Sequence, residues 1–508
     1  MIDTNQPISA DDLFTDEQMR AFLTNGFVVI KPDLPRNLHD TIYQKLDQAV
    51  EMDGNPGNNL LPRVPEIQEV YDHPTVRGAL TSVIGPNYMM HPHRHPHTNR
   101  PGSSGGGWHK DSYWGYGKVR NHRCWWAMGL YFPQDTPVEI GPTAVIPGSS
   151  YYLSRQNDVS EIKFPATGEA GTMIIIHYDI WHQATANETD KTRYMLKFEF
   201  TRMNPPTLPS WNNEDTEWQS PSNSSLLNRQ EIVWKHLWNW LSGRGEEKPI
   251  GEATEAEISR WITALRIGTQ PEKIDATNHI GTLGKNGAKA ISALVSVLND
   301  PSEPVGLNAA YALGTIGEEA IDPLVGTLKD DNETVRRHAA YALTAAGSSA
   351  EEKVTELLDH ESAETRGYAS YVLGEIGADT SVPQLVSLLD DESVIVRRNV
   401  VESLGIIQGK HALAGERATS VTALARAMVK DEDKQTRFTA ALSLARIGED
   451  AADAVPALKD ALKDDDRYVR GYGIEALKYI GTPEAKSVLI DHLITTRWCP
   501  STTKNSTF

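Results

Sequence analysis

The chain has 508 residues, more than one hydrophobic core usually organises, so two to four domains are expected. A formal net charge of −19 argues against unaided binding to nucleic acid or to an anionic membrane, since both select for basic surface. The two cysteines, Cys124 and Cys499, lie too far apart in sequence to suggest a disulfide scaffold, and they fit a reducing cytoplasm.

The opening, Met1 to Pro7, carries neither a basic region nor an apolar one, so no signal peptide is read there. No apolar run approaches the roughly 18 residues that span a bilayer; the densest, Met173 to Ile176, is strand-sized. Up to about residue 205, Trp, Tyr, His, Pro and Gly are frequent, and short apolar runs alternate with turn signals, which is a mostly β pattern. Residues 1–205 are therefore expected to form a first domain.

Within it, His91, His93, His95 and His97 alternate along one segment and would share one face of a strand. Such a row can be a second metal site, the polar wall of a pocket, or an edge strand, which its prolines favour. Next comes Gly106-Gly107-Trp108-His109-Lys110-Asp111. Residues two apart on a strand point the same way, so His109 and Asp111 can offer an imidazole and a carboxylate to one ion. A distal histidine would complete a two-histidine, one-carboxylate set, which leaves three adjacent positions open on Fe(II). His182 closes the run Ile174 to His182, eleven residues before Arg193, and a polar turn, Asn187 to Lys191, lies between them. His177 is an alternative distal ligand at a different spacing. An inward Arg193, opening the strand Tyr194 to Phe200, can bind a carboxylate with two parallel hydrogen bonds. Trp114 and Trp126, with Trp108, Trp125, Tyr113 and Tyr116, are either core or an aromatic wall for substrate. Arg100, Lys110, Lys118, Arg120 and Arg123 are either a solvated face or contacts for an anionic substrate.

Residues 206–250, with prolines, serines and asparagines but also Trp211, Trp218, Trp234, Trp238 and Trp240, read as a linker docked on a neighbour. Residues 251–495 repeat with a period of 30 or 31, apart from an insertion near residues 410–420. Arg336, Arg366, Arg397, Arg437 and Arg470 each precede a Leu by seven residues; Gly317, Gly347, Gly377, Gly448 and Gly481 end helices; Asp-rich turns such as Asp330-Asp331 and Asp390-Asp391 close the units. Two helices per unit at this period predict an all-α solenoid resembling HEAT repeats. Each repeated Arg is expected to pair with the Asp turn of a neighbouring unit rather than form an anion-binding ladder. Residues 496–508 are a tail.

Residues about 10–205 resemble the phytanoyl-CoA dioxygenase family. The likeness rests on Leu13 to Gln18 followed by Asn25 to Ile30, on Trp108-His109-Lys110-Asp111, on Gly141 to Ser149, and on Gly168 to Arg193 with its Trp181-His182. The resemblance implies a double-stranded β-helix (jelly-roll) core of α+β class and an Fe(II)- and 2-oxoglutarate-dependent oxygenase that consumes O₂. It implies His109, Asp111 and His182 as iron ligands and Arg193 as the anchor of 2-oxoglutarate. Asn99, on the histidine-rich segment, and Thr185 are further expected cosubstrate contacts. Thr185 would stand in for the Ser that family members often carry where this chain has Ala184. His95, His97, Trp114 and Trp126 are expected to face substrate. The presence of Asp111 favours oxygenation over halogenation. A small-molecule substrate is expected, hydroxylated at an aliphatic carbon. Two alternatives stand beside it: an oxygenase whose HEAT repeats hold a protein or other macromolecule, and a non-catalytic scaffold.

Overall fold

Alternation sets the strands of the first half. In the computed structural model, which describes residues 8–111, 122–155, 162–221, 229–245, 247–410 and 414–495, these are β1 (Phe27–Ile30), β2 (Met89–Asn99), β3 (Trp126–Tyr131), β4 (Thr143–Val145), β5 (Phe164–Pro165), β6 (Met173–His177), β7 (His182–Ala184) and β8 (Arg193–Thr201). They form two antiparallel sheets, ordered β1-β6-β3-β8-β2 and β5-β4-β7. This is the expected jelly-roll.

β8 shows why the sequence folds this way. Tyr194, Leu196, Phe198 and Phe200 point outward, where Tyr43 meets Tyr194 and Tyr71 meets Phe198, with ring centroids 5.3 and 4.3 Å apart. Arg193, Met195, Lys197, Glu199 and Thr201 alternate with them and point inward. All nine residues are buried, because both faces of the strand are covered. The cover comes from helices that the mostly β reading did not separate. Among the described residues before β2 these include Asp16–Asn25, Arg36–Asp53, Ile67–Asp72 and Pro74–Ile84. The first is fixed by a capping box between Thr15 and Gln18, a local signal that acts independently of the strand alternation around it.

After residue 250 the chain is helical. Gly317, Gly347, Gly377, Gly448 and Gly481 end their helices at positive φ, a conformation that costs a glycine little. Three of the five repeated arginines pair with an Asp turn, as the ion-pair reading expects, but with the turn of their own unit and not a neighbour's. Arg366 pairs with Asp391, Arg397 with Asp431 and Arg437 with Asp464, each through Nε and Nη2 at 2.7–3.2 Å. Each of these three thus ties the first helix of its repeat to the Asp turn that closes the same repeat, while Arg336 and Arg470 donate to carbonyls of the turn that closes the preceding one.

The two halves share one hydrophobic cluster. Successive repeat helices present one face to the N-terminal domain. Glu303, at the start of helix Glu303–Ile316, accepts from the amides of Leu153 and Ser154. Tyr311 on that helix bonds His122 at 3.0 Å, and Tyr341 on the next inner helix, Glu333–Ala346, packs tilted by 44° against the same ring. Glu375 on Ala363–Ile376 takes the Arg123 guanidinium and the Trp125 indole. Arg446 on Lys434–Ile447 lies over the Trp125 ring. Tyr468 on Arg467–Ile480 meets His93 at 2.8 Å. On that helix Gly471 permits the close approach, since a Cβ there would sit 2.7 Å from the Pro92 ring. The segment between the domains is docked as well: Asp16 accepts from the Trp211 indole, the Asn213 amide and the backbone of Glu214 and Asp215. Among the described residues no helix is long and apolar enough to cross a membrane.

Candidate metal centre

β7 opens with His182, and residue 109 pairs with it as an isolated antiparallel bridge. The imidazoles are therefore cross-strand neighbours, with centroids 4.3 Å apart. His109 Nδ1 bonds the Gly107 carbonyl at 2.9 Å and His182 Nδ1 bonds the Ile180 carbonyl at 3.1 Å. A proton on Nδ1 leaves the Nε2 lone pair of each ring for a metal. Asp111 follows on the same strand direction, and its carbonyl accepts from Tyr178 Oη at 2.8 Å. Ligand atoms of His109, Asp111 and His182 all lie within 4.8 Å of one another. Burial alone would raise the Asp111 carboxyl, but the His182 ring and the Lys197 ammonium outweigh it and hold Asp111 well below the usual carboxylate range. Two imidazole nitrogens and a carboxylate oxygen make a donor set suited to Fe(II) with open positions.

Arg193 is buried, and burial lowers its guanidinium to about 10, so it remains a cation at neutral pH. Its Nε donates to the Gly141 carbonyl at 2.9 Å. Among the described residues no carboxylate pairs with it. A buried cation with no acid partner among the described residues favours an anion beside it, and the far carboxylate of 2-oxoglutarate fits that role. Asn99 supports the same turn: its Nδ2 donates to the carbonyls of Gly141 and Thr185. The Thr185 hydroxyl donates to the Pro142 carbonyl, so in this structure both side chains hold the loop that receives Arg193.

The histidine row lies on β2. His91 is fully buried, half-buried His93, His95 and His97 follow it, and neighbouring rings are 5.0–6.3 Å apart. Among the described residues only His109, Asp111 and His182 bring three ligand atoms all within 4.8 Å of one another, so the reading of the row as a second metal site receives no support. His95 Nδ1 and His97 Nε2 are buried atoms without a hydrogen-bond partner among the described residues. Trp126 is buried on β3, edge-on to His91 and beside Tyr178. Trp114 lies outside the described residues, as do Tyr113, Tyr116, Lys118 and Arg120. His177 is buried, accepts from the Asp179 amide through Nδ1, and does not belong to the clustered ligand set found among the described residues.

Two residues were missed. Lys197 Nζ is 2.9 Å from Asp111 Oδ2 and 3.5 Å from Glu199 Oε1. Glu199 is wholly buried; burial pushes its carboxyl up to about 8 although Lys197 pulls it down. Counting by twos along β8 from the inward Arg193 would have found both.

Residues 24–195 match the family model described as phytanoyl-CoA dioxygenase (PhyH), and residues 266–347, 351–419 and 421–498 match HEAT repeats. Among solved structures the chain is similar to the non-heme alpha-ketoglutarate-dependent carbocyclase SnoK from nogalamycin biosynthesis, at 18% identity over 39% of this chain and 88% of that one, with a TM-score of 0.33. It is also similar to the epimerase SnoN from the same biosynthesis, at 13% identity over 37% and 81%, with a TM-score of 0.33. AviO1 from Streptomyces viridochromogenes Tue57 matches at 11% identity over 39% and 96%, with a TM-score of 0.30. A search of the curated proteins finds no match.

Proposed function

We propose that this chain, a phytanoyl-CoA dioxygenase domain at residues 24–195 joined to HEAT repeats, is an Fe(II)- and 2-oxoglutarate-dependent oxygenase that hydroxylates an aliphatic carbon of a small organic substrate. The observation that carries the reading is the pairing of a convergent His109, Asp111 and His182 set with a buried Arg193 that has no acid partner among the described residues. His109, Asp111 and His182 hold the metal, and Arg193 binds the distal carboxylate of the cosubstrate. Asn99 and Thr185 shape the loop that receives it. His95, His97 and Trp126 face the substrate side. When bound, Fe(II), 2-oxoglutarate and O₂ supply the oxidant: R–H, O₂ and 2-oxoglutarate give R–OH, succinate and CO₂. The chain's own part is to orient these groups and exclude water.

A small substrate is favoured over a macromolecule gripped by the repeats, because the inner faces of successive repeat helices already hold the N-terminal domain. Their outward surface remains available to a protein partner. The test is anaerobic titration with Fe(II) and 2-oxoglutarate, followed by the visible metal-to-ligand charge-transfer band. The band is expected in the wild type and lost in His182→Ala. A folded, iron-loaded wild type without it refutes the reading.

A further inference from the structure

Lys197 is an unusual neighbour for a metal ligand. Its ammonium is 5% exposed and lies 2.9 Å from Asp111 Oδ2. That same oxygen is 3.4 Å from His182 Nε2, the nitrogen left open for metal. A buried cation therefore stands against the oxygen that a divalent ion would take. Close by is a second acid. Glu199 projects from the same face of β8, two residues on, and its nearer oxygen is 3.5 Å from the ammonium. The Glu199 side chain is 0% exposed, and among the described residues neither oxygen accepts a hydrogen bond within ordinary distance. Buried carboxyl groups normally have close hydrogen-bond partners, so this one, 3.5 Å from a flexible ammonium, is an available second position for it. Around Glu199, His91 Nδ1 lies at 3.4 Å and His93 Nε2 at 3.9 Å. Tyr468 from the solenoid bonds the other nitrogen of His93.

We infer that Lys197 is the counter-ion of Asp111 in the metal-free protein, competes with the metal for that carboxylate, and is handed to Glu199 when the metal binds. The inference rests on the metal-centre reading above. Its physical basis is charge balance. Without metal, a buried Asp111 needs a cation, and Lys197 supplies one. With metal, a dication and an ammonium would share one oxygen, and their repulsion drives the ammonium away. The four-carbon stem lets the ammonium turn while the backbone stays fixed. Lys197 is thus a positioning residue that sets metal affinity.

The experiment uses the full chain and the metal alone, by anaerobic calorimetric titration with Fe(II) and by melting of the metal-free protein. Lys197→Met is expected to bind Fe(II) at least about tenfold more tightly than wild type while its metal-free form melts at lower temperature. Glu199→Gln, which keeps the shape but removes the acid, is expected to bind Fe(II) at least about fivefold more weakly; this second variant decides the matter where Lys197→Met does not fold. Weaker or unchanged binding in Lys197→Met, or unchanged or tighter binding in Glu199→Gln, overturns the inference. A folded wild type that binds no Fe(II) overturns the metal-centre reading instead, so the two failures are told apart.

Discussion

His109 and His182 exchange backbone hydrogen bonds, each amide donating to the other's carbonyl at 3.0 Å. The spacing of the two imidazoles is therefore set by the main chain. Substituting either ring leaves the bridge intact, so His182→Ala is expected to keep the wild-type melting temperature within a few degrees while losing metal. Loss of an outer-shell partner typically costs roughly 10–100-fold in metal affinity, and loss of a direct ligand should exceed that. Fe(II) titration beside a melting curve checks both halves. A large fall in melting temperature of the metal-free variant would show that the ring is structural.

Arg193 yields a separate prediction, because its effect should fall on the cosubstrate and not on the metal. Hydrogen bonds to charged groups are worth about 1.5–3 kcal/mol, so Arg193→Gln is expected to raise the Kd for 2-oxoglutarate by about 10–100-fold. Fe(II) affinity should stay within about threefold, since the guanidinium touches the Gly141 carbonyl and no metal-set residue. Arg193→Lys should recover little, because a point-like ammonium cannot reproduce the planar fork.

The metal set and the solenoid were legible for different reasons. Strand geometry groups His109 with Asp111, two residues apart, whereas the choice of His182 over His177 as their distal partner came from the resemblance to the phytanoyl-CoA dioxygenase family. The solenoid was legible because a period of 30 or 31 repeats its Arg, Leu and Gly signals several times. Lys197 and Glu199 were overlooked because each is locally an ordinary strand residue; only the inward phase inherited from Arg193 marks them. The association of the two halves was not legible at all. Arg123 and Glu375 are 252 residues apart and carry no shared motif, and the helices before β2 were masked by the Trp, His and Pro signals that follow them.

That association makes a testable claim about stability. Arg123 and Glu375 are paired at 3.2 Å with side chains 8% and 1% exposed. Breaking a buried pair by removing one partner costs about 3–5 kcal/mol, whereas replacing both with apolar residues is often neutral. Glu375→Ala is expected to lower the urea midpoint strongly, and the double variant Arg123→Met/Glu375→Leu to recover much of the loss. Ending the chain at residue 250 should give an aggregating product, because Trp125, fully buried against the solenoid, would become exposed. A soluble, cooperatively melting fragment would show that the N-terminal domain is independent.

Acid should attack the same interface. His122 and His236 are buried around Tyr311, and His338 lies one inner helix on with Nδ1 on the Leu298 carbonyl at 2.7 Å. Burial holds all three below the ordinary histidine value, and brings His338 to about 4. Because the folded values are depressed, the unfolded chain takes up protons first, from about pH 6.5 downward. The stabilisation is complete above about pH 6.5 and is lost as pH falls toward the folded values. Each such histidine contributes a slope of about 1.4 kcal/mol per pH unit inside that window. Urea midpoints are therefore expected to be flat between pH 7 and 8 and to drop steeply between pH 6.5 and 4.5. Carboxylates in ion pairs act mainly at lower pH, since their unfolded values lie near 4. His338→Gln, which retains a donor for the Leu298 carbonyl, should make the drop shallower. An unchanged slope in that variant would show that His338 is not buried as a neutral ring.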